Sequence, residues 1–232
     1  MRNSFKFIII SIALSPCFAG SLYAQTPDQV TDFTKSAKFD DVSGIQSLIK
    51  SGVSPNTLDP KGNPMLIVAI RDKSFKVIDL LLANQIIDVN LANKSDENPL
   101  MIASIEGELP IVETLIKKKA EVNKSGWTPL HYACSTGRLS VAQFLVANGA
   151  KVNALSPSDT TPLMMAVNSG NEVLVKFLLD NGADLRMRNH EGYSAIDVAV
   201  LFSKEDIRKG LISRWEKLYQ QPYPGGPMKI AS

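Results

Sequence analysis

His131 and Cys134 stand three residues apart in a stretch of helical spacing, which would bring an imidazole beside a thiol. A redox or peroxide-linked site built on Cys134 is therefore one reading of the chain. The competing reading packs Cys134 beside Ala133 in a buried helix as an inert thiol. His190, the second of only two histidines, shares no zinc-ligand or nucleophile-relay spacing with the first. The sequence holds no HExxH, CxxC or G-x-S-x-G motif and no glycine-rich phosphate loop. The acid pairs Asp40-Asp41 and Asp96-Glu97 read as solvated charge on turns. No catalytic set, cofactor or metal ligand set is expected, and recognition is the function class that is left.

The elements that would position these residues are short helices in pairs. In Gly126 to Asn153, Thr128 is a good N-cap and Pro129 sits where a missing N–H costs nothing, so a first helix starts there and ends at the Gly137 turn. A second helix carries Leu139, Val141, Ala142, Phe144, Leu145 and Val146 and stops at Asn148-Gly149, where glycine takes a left-handed conformation. Such a pair cannot bury both faces alone, so it needs copies on either side. The copies are present. The cap pattern recurs as Asn63-Pro64-Met65, Asn98-Pro99-Leu100, Thr161-Pro162-Leu163 and Ser194-Ala195-Ile196, and the closing Gly-Ala-x-x-Asn of Gly149 to Asn153 recurs, loosened, at Gly182 to Arg186. Relatives of that closing run lie at Gly52 to Asn56 and Lys119 to Asn123.

TPLHYA, a Leu-rich second helix and NGAxVN together resemble the ankyrin-repeat family, from about Thr31 to Leu218. The last two cap intervals equal the roughly 33-residue period of that family. The resemblance implies an all-α solenoid of about six stacked helix-turn-helix repeats with short β-hairpin fingers. The expected division is a capping repeat 31–59, repeats 60–93, 94–124, 125–156 and 157–189, and a C-terminal capping repeat 190–218. Departures are expected to matter. The Asn63 to Asn98 interval is two residues longer than the period, with insertions expected near Ser74 and Ile87, and the loop from Asn123 to Thr128 is three residues shorter, so one finger should be stunted. Lys119 stands at a usual glycine position, and Asp197 stands where the motif has histidine.

In that family a partner protein usually meets the finger tips and the exposed side of the first helices. The resemblance therefore implies a concave partner surface made by the residues before the caps, Glu97, Trp127, Thr160 and Tyr193. To these it adds the residues before the helix-ending turns, Ile105, Glu106, Ser135, Thr136, Asn168, Ser169, Leu201 and Phe202. Trp127 and Tyr193 are the expected anchors, since Trp and Tyr dominate binding hot spots. Against this, the rings could simply cover finger backbone, and Leu201 and Phe202 are expected under the terminal cap. His131 resembles the family position whose ring hydrogen-bonds within the turn.

The N-terminal residues place Arg2 and Lys6 ahead of a short apolar run from Phe7 to Leu14. This reads as a secretory signal peptide, residues 1–24, with cleavage after Ala24 or, alternatively, after Ala19. An uncleaved anchor is a further reading, as is a lipoprotein through Cys17. Cleavage at 24 removes two bases and no acid, leaving 23 bases against 23 acids. With no basic tract remaining, a nucleic-acid partner is not expected. It also removes Cys17 and leaves Cys134 as the single cysteine, so no internal disulfide can form. The expected product is periplasmic or else extracellular, including a host-directed factor, monomeric and without a membrane span. Residues 25–30 read as a linker, Trp215 as a core lid, and the Pro- and Gly-rich residues 219–232 as a flexible tail. Asn93 and Asn123 head glycosylation sequons on finger loops.

Overall fold

The computed structural model describes residues 25–226, and the expected signal peptide lies outside them. The chain runs through α1 (Pro27–Lys38), α2 (Val42–Lys50), α3 (Met65–Arg71), α4 (Phe75–Ala83), α5 (Pro99–Glu106), α6 (Leu109–Lys117), α7 (Pro129–Ser135), α8 (Leu139–Ala147), α9 (Pro162–Ser169), α10 (Glu172–Asp180), α11 (Ala195–Leu201) and α12 (Glu205–Tyr219). Each odd helix packs on the even helix that follows it, and the odd helices stack on one another in order from α1 to α11. The even helices form a second row, α2 on α4, α6 on α8 and α8 on α10, while α4 with α6 and α10 with α12 make little contact. This is the stacked arrangement that the repeated caps and glycines imply.

Burial follows from the stacking. An odd helix in mid-stack is covered on nearly every side, so Met65 to Ile70 and Pro99 to Ser104 are buried without interruption. An even helix buries one stripe, as Val77, Ile78, Leu81 and Leu82 do in α4, and leaves Lys76 and Asp79 to water.

The first-helix caps are local and strong. The side chains of Asn98, Thr128, Thr161 and Ser194 each accept a backbone N–H from the first turn. The exception corrects the expected register: α3 is capped at Pro64 rather than Asn63, with no side-chain cap bond. Asn63 is occupied otherwise, its N–H and side-chain amide both donating to Asp59. The caps Pro64, Asn98, Thr128, Thr161 and Ser194 are then spaced 34, 30, 33 and 33 residues. The first interval thus exceeds the last two by one residue, not two. No insertion lies near Ser74, because from α3 onward the left-handed residue falls nine positions after the cap in each repeat, at Lys73, Gly107, Gly137, Gly170 and Ser203. The extra residue is in the Asn84–Asp88 loop, where the chain leaves α4 extended and without a left-handed residue.

The repeats are sewn together by asparagines. Asn123 Nδ2 donates to the Gly149 carbonyl at 2.8 Å while its Oδ1 accepts the Lys151 N–H at 2.8 Å. Asn56, Asn90 and Asn153 do the same one repeat away. Arg186 holds the corresponding place in repeat 157–189, where it pairs with Asp184 and lies over the Tyr219 ring of α12 instead. The amide nitrogen of Asn93 is likewise engaged, on Asn63 and Glu97, so both sequon nitrogens carry structural bonds.

The expected β-hairpin fingers contain no strands among the described residues, only one isolated bridge between Leu58 and Pro64. They are tight turns instead. Asp59, Asn93, Ser156 and Asn189 each accept, through the side chain, the N–H groups two and four residues on. Each also donates its own N–H to the carbonyl four residues on. Polar side chains thus close the finger before a ladder can form. The short Asn123–Thr128 finger lacks this closure.

Two further expectations are corrected at the ends. Residues 25–30 are not a linker: Thr26 and Gln29 form a capping box that starts α1 at Pro27 and brings Phe33 into the core. The described part of the tail is seated rather than free, because Tyr223 packs on Trp215 and hydrogen-bonds to Ser194 and Asp197.

Candidate functional site

The finger turns and the odd helices place their exposed residues side by side, one set per repeat. In the centre of that row a hollow opens beside the short finger, lined by Glu97, Ile105, Trp127, His131, Tyr132, Ser135 and Met165. Four of the residues expected at the partner surface, Glu97, Ile105, Trp127 and Ser135, are therefore brought together.

His131 forms the floor. Thr128 N–H donates to its Nδ1 at 3.1 Å and Nε2 lies 2.9 Å from the Thr160 carbonyl, so the proton sits on Nε2. Burial lowers its pKa from 6.5 to about 4, against the pull of the Thr160 carbonyl, and the ring stays neutral at neutral pH. Trp127 stands edge-on to it, with ring centroids 5.3 Å apart. The indole is half-buried and lines the hollow.

Glu97 does not behave as the solvated turn charge expected of it. Its Oε2 accepts from Arg71 at 2.7 Å and Asn93 at 2.8 Å, and its Oε1 accepts from the Tyr132 hydroxyl at 3.0 Å. Burial, and then this bond to Glu97, pushes the Tyr132 hydroxyl above its ordinary range. Three repeats are tied by one carboxylate, which presents the Tyr132 ring in a fixed orientation. The other acids expected as solvated charge are also employed. Asp40 accepts the Val77 N–H, Asp41 caps α2, and Asp96 pairs with Lys124.

A second hollow lies at the end of the row, between α11, α12 and the tail. Tyr193 and Leu201 reach it, with Ile196, Asp197, Ile212 and Tyr223. Asp197, at the position of His131, is almost fully buried. It accepts from Ser194 N–H at 2.8 Å, Arg188 at 3.1 Å and the Tyr223 hydroxyl at 2.7 Å.

The remaining expected residues line neither hollow. Thr160 contributes its carbonyl to His131, Thr136 bonds the Ile105 carbonyl, Ser169 bonds the Ala166 carbonyl, and Glu106 and Asn168 are half-buried beside them. Leu201, already placed at the second hollow, and Phe202 are 54% and 51% exposed rather than covered by the terminal helix. Tyr132, Met165, Arg71 and Tyr223 escaped the sequence reading, and Asn93 entered it only as a sequon. Tyr132 carried a signal: it lies four residues after its cap, where the other repeats have Val68, Ile102, Met165 and Val198.

Cys134 is fully buried and its thiol is pushed far up by burial, so the thiolate that redox chemistry requires is disfavoured. Among the described residues no group of three His, Cys, Asp or Glu side chains is arranged to hold a metal, and no helix is long and apolar enough to cross a membrane.

Against known families, models described as "Ankyrin repeats (3 copies)" match residues 33–125 and 86–156, and one described as "Ankyrin repeats (many copies)" matches 145–199. Among curated proteins, the chain is 33% identical over 72 residues to rat ankyrin repeat and SAM domain-containing protein 6, covering 31% of this chain and 8% of that one. It is 32% identical over 110 residues to alpha-latrocrustotoxin-Lt1a of Latrodectus tredecimguttatus, 44% of this chain and 8% of the toxin. To a putative ankyrin repeat protein of Borreliella burgdorferi it is 30% identical over 103 residues, 44% of this chain and 25% of the relative. The chain thus spans a small part of the length of these relatives.

Proposed function

The chain belongs to the ankyrin-repeat family, whose repeats generally mediate protein–protein interaction, and on that premise we propose that it is a non-enzymatic adapter or scaffold. It binds a partner protein through the concave, finger-side face, centred on the hollow at Trp127 and Tyr132. The observation that carries this reading is the Arg71–Glu97–Tyr132 network: it fixes an aromatic ring in the same hollow as Trp127 at the short finger, with Ile105 and Met165 as apolar lining. Preorganised aromatic anchors over an apolar floor are the residues from which binding energy is drawn, often about 2 kcal/mol each. A buried Cys134 supports this reading over the redox one. The leader-like residues 1–24 support export and a periplasmic location, with the working form a monomer.

Affinity capture from the native extracytoplasmic fraction tests the reading, with residues 25–232 as bait beside a Trp127→Ala, Tyr132→Ala variant of verified fold. A protein retained by the first and lost from the second supports the surface. Identical retention by both sinks it, and turnover of a small-molecule substrate by the purified chain would end the non-enzymatic assignment.

A further inference from the structure

In the central repeat capped at Thr128, the residue three after the cap reaches forward to the next finger: His131 Nε2–H donates to the Thr160 carbonyl. At the last repeat the polarity is reversed. Asp197 offers an acceptor where His131 offers a donor, and no finger follows among the described residues. What fills the place is the chain's own segment Pro222–Gly226. The Tyr223 hydroxyl donates to Asp197 Oδ2 at 2.7 Å and lies 2.6 Å from Ser194 Oγ, and its ring meets Trp215 edge-on with centroids 5.2 Å apart. Gly226 passes so close to the Asp197 carboxylate that a Cβ there would collide with it.

The seat looks made for an extended tyrosyl segment, yet the fastening is light. Among the described residues, the Tyr223 hydroxyl makes the segment's hydrogen bonds to the stack, and no backbone group of 222–226 joins it. When the tyrosine leaves, Asp197 keeps Arg188 and both donors of Ser194, so no buried charge is stranded. Tyr193 lines the same groove and also belongs to the proposed partner surface, so the strap covers one end of that surface.

We propose that the groove between α11 and α12 is a binding site for an extended, proline-flanked tyrosine segment of a partner protein, held in reserve by residues 222–226 as an intramolecular occupant. This deepens the protein-binding reading and rests on it for the identity of the competitor. The partner's tyrosine hydroxyl takes the place of Tyr223 on Asp197 and Ser194, its ring takes the face of Trp215, and the strap swings out. Tethering gives the strap a high effective concentration, so it masks the site from weak ligands.

The test uses a synthetic peptide with the sequence of residues 221–226 and full chains that are wild type, Tyr223→Ala or Tyr223→Phe. Calorimetric titration should show the peptide bound at least tenfold more tightly by Tyr223→Ala than by wild type, with Tyr223→Phe between them. A peptide with phenylalanine for tyrosine should lose at least fivefold on Tyr223→Ala. A folded Tyr223→Ala chain that binds the peptide no better than wild type overturns the proposal. So does a Tyr223→Ala chain that cannot fold while folded Tyr223→Phe shows no gain, since the segment is then a fixed part of the core. Peptide binding without any captured partner would fail the adapter reading and leave the groove standing; capture without peptide binding would fail the groove alone.

Discussion

The Nε2–H of His131 donates to the Thr160 carbonyl, 2.9 Å away and twenty-nine residues later in the chain. That bond, with the Thr128 N–H on Nδ1, holds the imidazole neutral between two fingers.

A pH dependence follows. The His131 pKa is about 4 in the fold against 6.5 unfolded, so the unfolded chain binds the proton first. The stabilisation is complete above pH 6.5, falls as pH drops from there toward 4, and is lost below 4. The span is roughly 3 kcal/mol. Urea unfolding between pH 8 and 4 should show this slope, and a His131→Gln chain should show a flattened one. Asp59 and Asp184 also have lowered values, but their loss belongs below the unfolded 3.8.

Lys119 is held left-handed at φ 69, in the place where other repeats use Gly149 and Gly182. Replacing it with glycine should raise stability by about 1 kcal/mol, because the side chain's clash with its own backbone is removed. The reciprocal Gly149→Ala should lose a similar amount. Its new methyl group meets open space, so a loss there reports backbone strain alone. Denaturant midpoints at constant slope would measure both.

The asparagine ladder predicts a contrast between two positions that look alike in the repeat. Asn123→Ala removes two inter-repeat bonds and should cost about 1–2 kcal/mol. Arg186→Asn, where no pair of inter-repeat backbone bonds is made, gives up only an exposed pair with Asp184 and a place over the Tyr219 ring, and should cost less than Asn123→Ala does.

Cys134 should resist modification. In the chain from residue 25 onward it is the single cysteine, and its side chain is 0% exposed. A maleimide should label it only at the rate of unfolding; rapid labelling of the native chain would return the thiol to consideration as a reactive group.

What was legible in the sequence was what is decided within a few residues. Thr128-Pro129, Thr161-Pro162 and the glycines at 137 and 149 act on their own turns, so caps, helix order and stacking could be read directly. Pro64 was misassigned because the role of Asn63 is set by Asp59 across a turn, and a matching tripeptide does not reveal it. The Arg71–Glu97–Tyr132 network joins residues 26 and 35 apart, and which repeat faces carry such bridges depends on the finger lengths between them. Tyr223 was hidden by its neighbours: Pro224 to Pro227 has a linker's composition, while Trp215, which seats it, lies on the far side of a helix end.

The extra residue in the Asn84–Asp88 loop lies at the junction where α4 and α6 make little contact, as α10 and α12 also do, whereas α3 and α5 stay packed. A stack of this kind shares its stability between neighbours, so its cohesion at each junction depends on how many rows hold. Here the second row is nearly absent. The junction between α1–α4 and α5 onward is then bridged by the first row, the Arg71–Glu97 and Lys73–Glu108 pairs, and the bonds of Asn90 and Asn93, with little help from the second row. Under force or denaturant the N-terminal block should detach as a unit, leaving the segment that holds Trp127 and Tyr132 folded.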